Sequence, residues 1–182
     1  MISALNTFEI SILRSLYALV GCPVLDVVLK YLTYLGEGGA VWIAITLVLL
    51  FIPRTRQAGL CSALAMIMCL VVGNLMLKPF FARPRPFQFD NTISLLISEP
   101  TEFSFPSGHS MNGFAAAVSM RLYHRRGGNA AVALAAVIAF SRLYFMVHYP
   151  TDVLVGIAIG CIAAVLSRRI IGHAGEKRRA LQ

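Results

Sequence analysis

The sequence contains few charged residues, and acidic residues are the scarcest. Only 13% of the 182 residues are charged and 8 are Asp or Glu, whereas soluble domains carry roughly 25% charged residues. No cluster of acids has the spacing of metal ligands, so no metal is expected. The hydrophobic fraction is 58% and the mean hydropathy is +0.74. This composition excludes an ordinary soluble domain and indicates an integral membrane protein.

Paired cysteines and a clear leader sequence are also absent. The four cysteines, Cys22, Cys61, Cys69 and Cys161, form no C-x-x-C pair and lie in apolar surroundings, as small buried side chains do. A metal or disulfide role of these cysteines therefore has no support. Glu9 precedes the first basic residue, Arg14, and no small-residue cleavage site follows, so the N-terminus does not resemble a removable signal peptide.

Long hydrophobic runs are present instead, and a membrane-spanning helix needs roughly 17–25 apolar residues. Residues 57–80, 128–147 and 151–171 qualify clearly, and residues 38–53 and 107–124 are shorter candidates. The first 36 residues are open to two interpretations: one tilted or broken span, or two short helices at the interface. We predict an all-α polytopic helix bundle, one domain over residues 1–182, with about six transmembrane helices of which the first is uncertain.

The net charge of +8 is explained by the side of the membrane on which basic residues fall. Loops on one side and the C-terminal segment hold most of them: Arg54, Arg56, Arg121, Arg125, Arg126, Arg168, Arg169, Lys177, Arg178 and Arg179. Cytoplasmic loops collect Lys and Arg. We therefore expect a cytoplasmic C-terminus and no nucleic-acid partner. The opposite side keeps Lys78, Arg83, Arg85 and Arg142.

Three of these four cations point to an anionic ligand. Lys78 and Arg85 bracket a proline-rich loop, and Arg142 lies at the outer end of a predicted span. Cations at a membrane face are costly unless anions or water meet them, and guanidinium groups bind phosphate oxygens in pairs. The segment Pro106-Ser107-Gly108-His109 begins a helix, whose free N–H groups also favour phosphate.

A second histidine lies near the start of the last span. His148 and Asp152 are four residues apart, so one helical turn would bring them together. A carboxylate on one ring nitrogen fixes the tautomer and leaves the other nitrogen free to attack. Two histidines and three cations on one face suit phosphoryl transfer, in which the cations stabilise the charge of the transition state.

These segments resemble the motifs of the type 2 phosphatidic acid phosphatase family: K-x6-R-P, P-S-G-H and S-R-x5-H-x3-D, all present in order over residues 78–152. The resemblance implies a metal-independent lipid phosphatase. His148 would be the nucleophile that forms a phospho-histidine, Asp152 would orient it, and His109 would act as general acid and then base. The phosphate-binding residues would be Lys78, Arg85, Ser107, Gly108 and Arg142.

The expected substrate is a membrane lipid phosphate or pyrophosphate. Undecaprenyl pyrophosphate is the first expectation, followed by phosphatidylglycerol phosphate, phosphatidic acid and lipid A phosphates. The active site is expected at the extracytoplasmic face of a bacterial inner membrane. A lipid phosphotransferase and a non-catalytic transporter are the alternatives, and the oligomeric state is left open.

Three features outside the motifs are each open to two interpretations. Arg83 would contact a pyrophosphate or head group, or lie in solvent. Asn74 would form a helix–helix hydrogen bond or help to position Lys78. The loop 86–105 would be a lid or an ordinary packed loop.

Overall fold

The fold is built from helices throughout the part of the chain that is described. The computed structural model describes the backbone of residues 2–180 and the side chains of residues 3–173. Within residues 2–180 there is no strand, which confirms the all-α prediction. The helices are α1 (Ile2–Val20), α2 (Pro23–Leu35), α3 (Ala40–Phe51), α4 (Arg56–Cys69), α5 (Lys78–Phe81), α6 (Pro86–Phe89), α7 (Gly108–Tyr123), α8 (Arg125–Tyr144) and α9 (Pro150–Ala180).

Helix α7 occupies the centre of the bundle, where it packs against α4, α8 and α9. Its buried face is made of small residues, with Ala115, Ala116 and Ala117 fully buried. Small side chains let neighbouring helix backbones approach closely, which is how helices commonly pack in membranes. Because α7 begins with the P-S-G-H segment, its central position brings that segment to the meeting point of three other helices.

Two glycines on α9 allow its closest approach to α7. A Cβ added at Gly156 would lie 2.7 Å from the Ser107 carbonyl oxygen, and one added at Gly160 would lie 2.9 Å from the Ala115 backbone nitrogen. Real Cβ atoms essentially never approach another atom so closely. The pair therefore sets the spacing between the first half of α7 and the facing part of α9.

Helix α4 does not end as an ordinary α-helix. It continues as a π-helix over Leu70–Leu77, in which the Lys78 amide donates to the Gly73 carbonyl five residues earlier. Such π segments are rare and occur frequently at functional sites. Here the segment carries Asn74 and delivers Lys78 to one end of the bundle.

The number of membrane crossings is the least settled part of the prediction. Three helices, Arg56–Phe89, Arg125–Tyr144 and Pro150–His173, are long and apolar enough to cross a membrane. A fourth crossing results if the pair Pro23–Leu35 and Glu37–Phe51, bent by 46°, counts as one span. The predicted count of about six is not confirmed. Helix α7 has only 16 residues, which corresponds to about 24 Å at 1.5 Å per residue.

The N-terminal segment forms two helices that are interrupted at Gly21 and Cys22. Its second helix, α2, continues toward α3 as the bent pair. The sequence predicted a boundary after residue 36, between the first span and the second. In the structure this position lies inside the candidate span that the bent pair would form.

The outer surface of the bundle is apolar, as expected for contact with lipid. Large hydrophobic side chains are exposed along several helices, for example Leu75 at 65%, Phe80 at 81% and Leu154 at 64%. A belt of this size would be unstable in water. The chain is an integral membrane protein.

Candidate active site

The motif residues meet at one end of the bundle. They come from the end of the π-helix, the loop after α5, the start of α7, the end of α8 and the start of α9. A cavity of about 270 Å³ opens there. Six of the eight predicted site residues line it: Lys78, Arg85, Gly108, His109, Arg142 and His148. Ser107 and Asp152 lie behind the cavity wall, and both are fully buried.

His148 is held with one ring nitrogen toward the cations and the other toward an acid. Arg85 Nη1 lies 3.3 Å from His148 Nε2. A guanidinium only donates hydrogen bonds, so Nε2 must carry the lone pair and the ring proton must be on Nδ1. Nδ1 in turn lies 3.5 Å from Asp152 Oδ2. The ring belongs to the short segment between α8 and α9, and its burial lowers the pKa of His148 well below the usual value.

The carboxylate of Asp152 is fixed by hydrogen bonds at both oxygens. Oδ2 accepts from Ser104 Oγ at 2.5 Å and from the Tyr149 amide at 2.9 Å. Oδ1 accepts from Arg83 Nη1 at 2.6 Å. A carboxylate held in this way cannot rotate freely, so its direction toward His148 is set by the fold.

Three buried cations surround the cavity, and together they are short of negative charge. Lys78, Arg85 and Arg142 are each no more than 6% exposed. Arg85 donates to the carbonyl oxygens of Glu102, at 2.7 Å, and Val147, at 2.8 Å. Among the described residues, no carboxylate forms an ion pair with Arg85 or Arg142. Buried charges without counter-ions are costly, and a bound phosphate would supply the missing charge.

Arg142 receives its support from the N-terminal part of the chain. Its Nη1 donates to Thr33 Oγ1 at 2.6 Å, and Thr33 on α2 is buried. The Nε atom of Arg142 is buried and has no hydrogen-bond partner among the described residues. Helix α2 thus orients one phosphate-facing guanidinium and leaves a free donor on it. Sequence reasoning gave Thr33 no role, because nothing local links it to a residue 109 positions away.

Glu102 is a site residue that sequence reasoning missed. Its carboxylate pairs with the Lys78 ammonium, and the hydrogen bond from Lys78 lowers the pKa of Glu102. The Glu102 side chain is 64% exposed, whereas that of Lys78 is 8% exposed. It therefore stands at the cavity mouth, where an arriving phosphate would compete with it for Lys78. Only its position near the end of the loop before P-S-G-H could have indicated this.

His109 also lines the cavity, at the start of α7. Its Nε2 is buried and lacks a partner within the described residues. A Cβ added at Gly36 would lie 2.9 Å from His109 Cδ2, so the imidazole packs directly against the Gly36 backbone. Ser107, which was predicted to bind phosphate, caps α7: its Oγ accepts from the Ser110 amide at 3.4 Å. Its amide donates to the Asp152 carbonyl at 3.0 Å.

Two asparagines add polar groups to the cavity. Asn74 and Asn112 both line it, and the side-chain oxygen of each is buried without a partner in the described part of the chain. A Cβ at Gly108 would lie 3.6 Å from Asn74 Oδ1 and 3.7 Å from Lys78 Nζ. Asn74 thus faces the cavity beside Lys78, and the expected helix–helix hydrogen bond of its side-chain oxygen is not formed.

Arg83 matches neither of its two interpretations, whereas the loop 86–105 matches the packed one. Arg83 neither lines the cavity nor lies in solvent, since its side chain is 11% exposed and pairs with Glu9 and Asp152. The loop packs through Ile97 against Tyr144, Phe145 and Val147. Its end supplies Ser98, Thr101 and Glu102 to the cavity wall, so it is a packed part of the site.

Comparisons with known proteins identify the family of this chain. The sequence profile of the PAP2 superfamily matches residues 56–176, and the chain belongs to this family. An undecaprenyl-diphosphatase of Sulfolobus acidocaldarius is 34% identical over 131 residues, which are 71% of this chain and 63% of that protein. This chain therefore spans less than two thirds of that relative's length.

Two solved structures have the same fold. The crystal structure of Aquifex aeolicus LpxE superposes with a TM-score of 0.74 and 31% identity, covering 88% of this chain and 94% of that one. A transmembrane PAP2-type phosphatidylglycerolphosphate phosphatase from Bacillus subtilis superposes with a TM-score of 0.72 and 26% identity, covering 92% and 86%. The family and its phosphatase-named members support the class of lipid phosphatase for this chain.

Proposed function

We propose that this protein hydrolyses a lipid phosphate or lipid pyrophosphate through a phospho-histidine intermediate, without a metal. The observation that carries the proposal is the placement of His148. The residue lines the cavity, its Nε2 lies 3.3 Å from Arg85 Nη1, and Asp152 stands behind its other nitrogen at 3.5 Å. A nucleophile oriented by an acid and set beside Arg85 and Arg142, which have no carboxylate partner among the described residues, suits attack on phosphorus.

In the first step, His148 Nε2 attacks phosphorus and the bond from phosphorus to the lipid oxygen breaks. Lys78, Arg85 and Arg142 hold the phosphoryl oxygens and stabilise the charge that develops on them. Gly108 brings the free N–H groups at the start of α7 close to the phosphate, and Ser107 caps that helix. His109 gives a proton to the departing lipid oxygen.

In the second step, water attacks the phosphorus of the phospho-histidine. His109 accepts a proton from this water, the N–P bond breaks, and inorganic phosphate leaves. The same histidine thus acts first as acid and then as base. Asp152 stabilises the proton on His148 Nδ1 throughout, as an orienting carboxylate does in other triads.

The substrate we propose first is a polyprenyl pyrophosphate such as undecaprenyl pyrophosphate. It is supported by the 34% identity to an undecaprenyl-diphosphatase and by a cavity at the end of the bundle that a head group at the membrane surface could enter. Phosphatidylglycerol phosphate is the next candidate, since a structural relative carries that activity in its name. Most basic residues are in the loops and the C-terminal segment assigned to the side away from the motif residues, which favours an extracytoplasmic site and a cytoplasmic C-terminus. Of the C-terminal cations, Lys177, Arg178 and Arg179 lie outside the described side chains.

The test is phosphate release by the purified protein in detergent with EDTA present. Polyprenyl pyrophosphate, phosphatidylglycerol phosphate and phosphatidic acid are compared side by side, each with the native protein and with His148→Ala. Release that persists in EDTA and disappears in His148→Ala is the expected result. A folded protein that releases phosphate from none of these lipids would refute the proposal, and equal release by His148→Ala would refute the assigned nucleophile.

A further inference from the structure

Arg83 forms a compact set of contacts directly behind the active site. The side chain is 11% exposed, and it bridges the loop after α5, helix α1 and the start of α9. Its Nη1 donates to Asp152 Oδ1 at 2.6 Å and to Thr151 Oγ1 at 2.7 Å, while its Nη2 donates to Glu9 Oε2 at 2.5 Å and to Asn6 Oδ1 at 2.6 Å. Its guanidinium carbon also lies 3.8 Å from the centre of the Tyr149 ring.

Helix α1 supplies the acid that completes this set. Glu9 and Asn6 are each 2% exposed. Glu9 Oε1 accepts from the Thr151 amide at 2.8 Å, so the carboxylate caps the first turn of α9. Negative charge at a helix N-terminus is favourable because it satisfies free N–H groups and the helix dipole. Helix α1 is therefore fixed to the same turn that carries Asp152.

The charges explain why an arginine is needed at this position. Glu9 and Asp152 are two buried carboxylates on either side of Arg83. Without the guanidinium, these like charges would have no common counter-ion and would repel each other. A flat guanidinium can hold both at once through separate nitrogens. Arg83 thus supplies the counter-ion of the carboxylate that faces His148.

The two oxygens of Asp152 bind different groups, and Arg83 binds one of them. It binds Oδ1, which leaves Oδ2 for Ser104, the Tyr149 amide and the imidazole of His148. Loss of Arg83 would free Oδ1 and let the carboxylate turn away from the ring. A misplacement of about 1 Å in such a group can cost about 10²-fold in rate.

We infer that Arg83 and Glu9 form a positioning pair, which acts through Asp152 to hold the nucleophile His148 and makes α1 part of the active-site support. This inference rests on the proposed function. It assigns neither residue to the substrate, because Arg83 and Glu9 are absent from the cavity lining. Their effect should therefore fall on the chemical step and not on phosphate binding.

The test compares Arg83→Met, Arg83→Lys and Glu9→Gln with the native protein. We expect Arg83→Met to lower kcat by roughly 10- to 100-fold, the loss seen for groups that orient functional histidines. KM and inhibition by vanadate, a phosphate mimic, should change less than about twofold, since uniform binding is intact. Arg83→Lys should recover part of kcat. Glu9→Gln should lower kcat less, because Asp152 keeps its partner.

The matched control is Arg14→Met. Arg14 on the same helix pairs with Asp90 at 2.7 Å and is 51% exposed, but it contacts neither Asp152 nor Glu9. Its removal breaks an ion pair of α1 without reaching the nucleophile. We expect kcat within about twofold of the native value, because exposed ion pairs contribute little.

A double variant separates positioning from folding. Arg83→Met leaves Glu9 and Asp152 uncompensated, so it should also lower thermal stability in detergent. Adding Glu9→Gln removes one of the two buried charges and should restore stability while kcat stays low. Recovery of kcat together with stability would overturn the inference, and so would a rise in KM or in the vanadate inhibition constant at unchanged kcat. Failure of the native protein to release phosphate would instead overturn the proposed function itself.

Discussion

The role of His109 can be tested through Gly36, which packs against its imidazole and has no side chain of its own. Gly36 has φ −83° and ψ −6°, which alanine adopts without strain. The change Gly36→Ala therefore acts only through the space that its methyl group fills. That methyl would lie 2.9 Å from His109 Cδ2 and 2.9 Å from Ile138 Cγ2.

The expected magnitude follows from these distances. Ordinary contacts of a Cβ begin at 3.4 Å, so His109 or Ile138 must move by several tenths of an ångström. Ile138 is fully buried and has little room to yield. Overpacking of this kind costs typically about 1–3 kcal/mol. If the displacement falls on the general acid, kcat should drop by roughly 10- to 100-fold.

The assay is kcat on two substrates that differ in leaving group. A phosphate ester with a poor, alcohol-like leaving group needs protonation by His109, whereas a nitrophenyl phosphate does not. Gly36→Ala should therefore impair the first substrate much more than the second. Gly127→Ala is the control, because a Cβ at Gly127 meets nothing within 4 Å. Native kcat in Gly36→Ala, or an equal loss on both substrates, would refute the placement of His109 as general acid.

Two further predictions concern the phosphate-binding cations. Glu102→Gln removes the carboxylate that competes for Lys78, and we expect KM to fall, by at most about fivefold because exposed pairs contribute up to about 1 kcal/mol. The pKa of Glu102 is lowered, so its carboxylate stays charged down to below its usual pKa near 4.3. The difference in KM between the native protein and Glu102→Gln should therefore persist at pH 5. A difference that vanishes at pH 5 would contradict this. Thr33→Val removes the hydrogen bond to Arg142 and should lower kcat/KM by about 10-fold, equivalent to about 1.4 kcal/mol; unchanged kcat/KM would show that α2 does not orient Arg142.

The sequence was sufficient to predict the helical class and the residues that meet at one end of the bundle. Both follow from local features: apolar runs of helical length, and motif residues placed where those runs begin or end. Because consecutive helices alternate in direction, five motif residues reach the cavity: Lys78, Arg85, His109, Arg142 and His148. The catalytic roles of these residues remain predictions.

The sequence could not indicate the contacts that support the motif residues. Glu9 reaches Thr151 across 142 positions, and Thr33 reaches Arg142 across 109. Each depends on how α1 and α2 pack, and no local pattern encodes that packing. The π-helix that turns Asn74 toward the cavity is equally hidden, because the residues of Leu70–Leu77 are ordinary apolar helix formers apart from Gly73 and Asn74.

The central claim is a covalent bond between phosphorus and His148 Nε2, and trapping that bond tests it most directly. Native protein is mixed with lipid labelled at the phosphate, quenched within milliseconds and digested, and the label is located by mass spectrometry. A phospho-histidine is stable in base and labile in acid, which separates it from a phosphoserine. The account predicts label on His148, absent from His148→Ala and more abundant in a variant whose His109 cannot activate water. Label on another residue, or lipid hydrolysis by His148→Ala at the native rate, would contradict it.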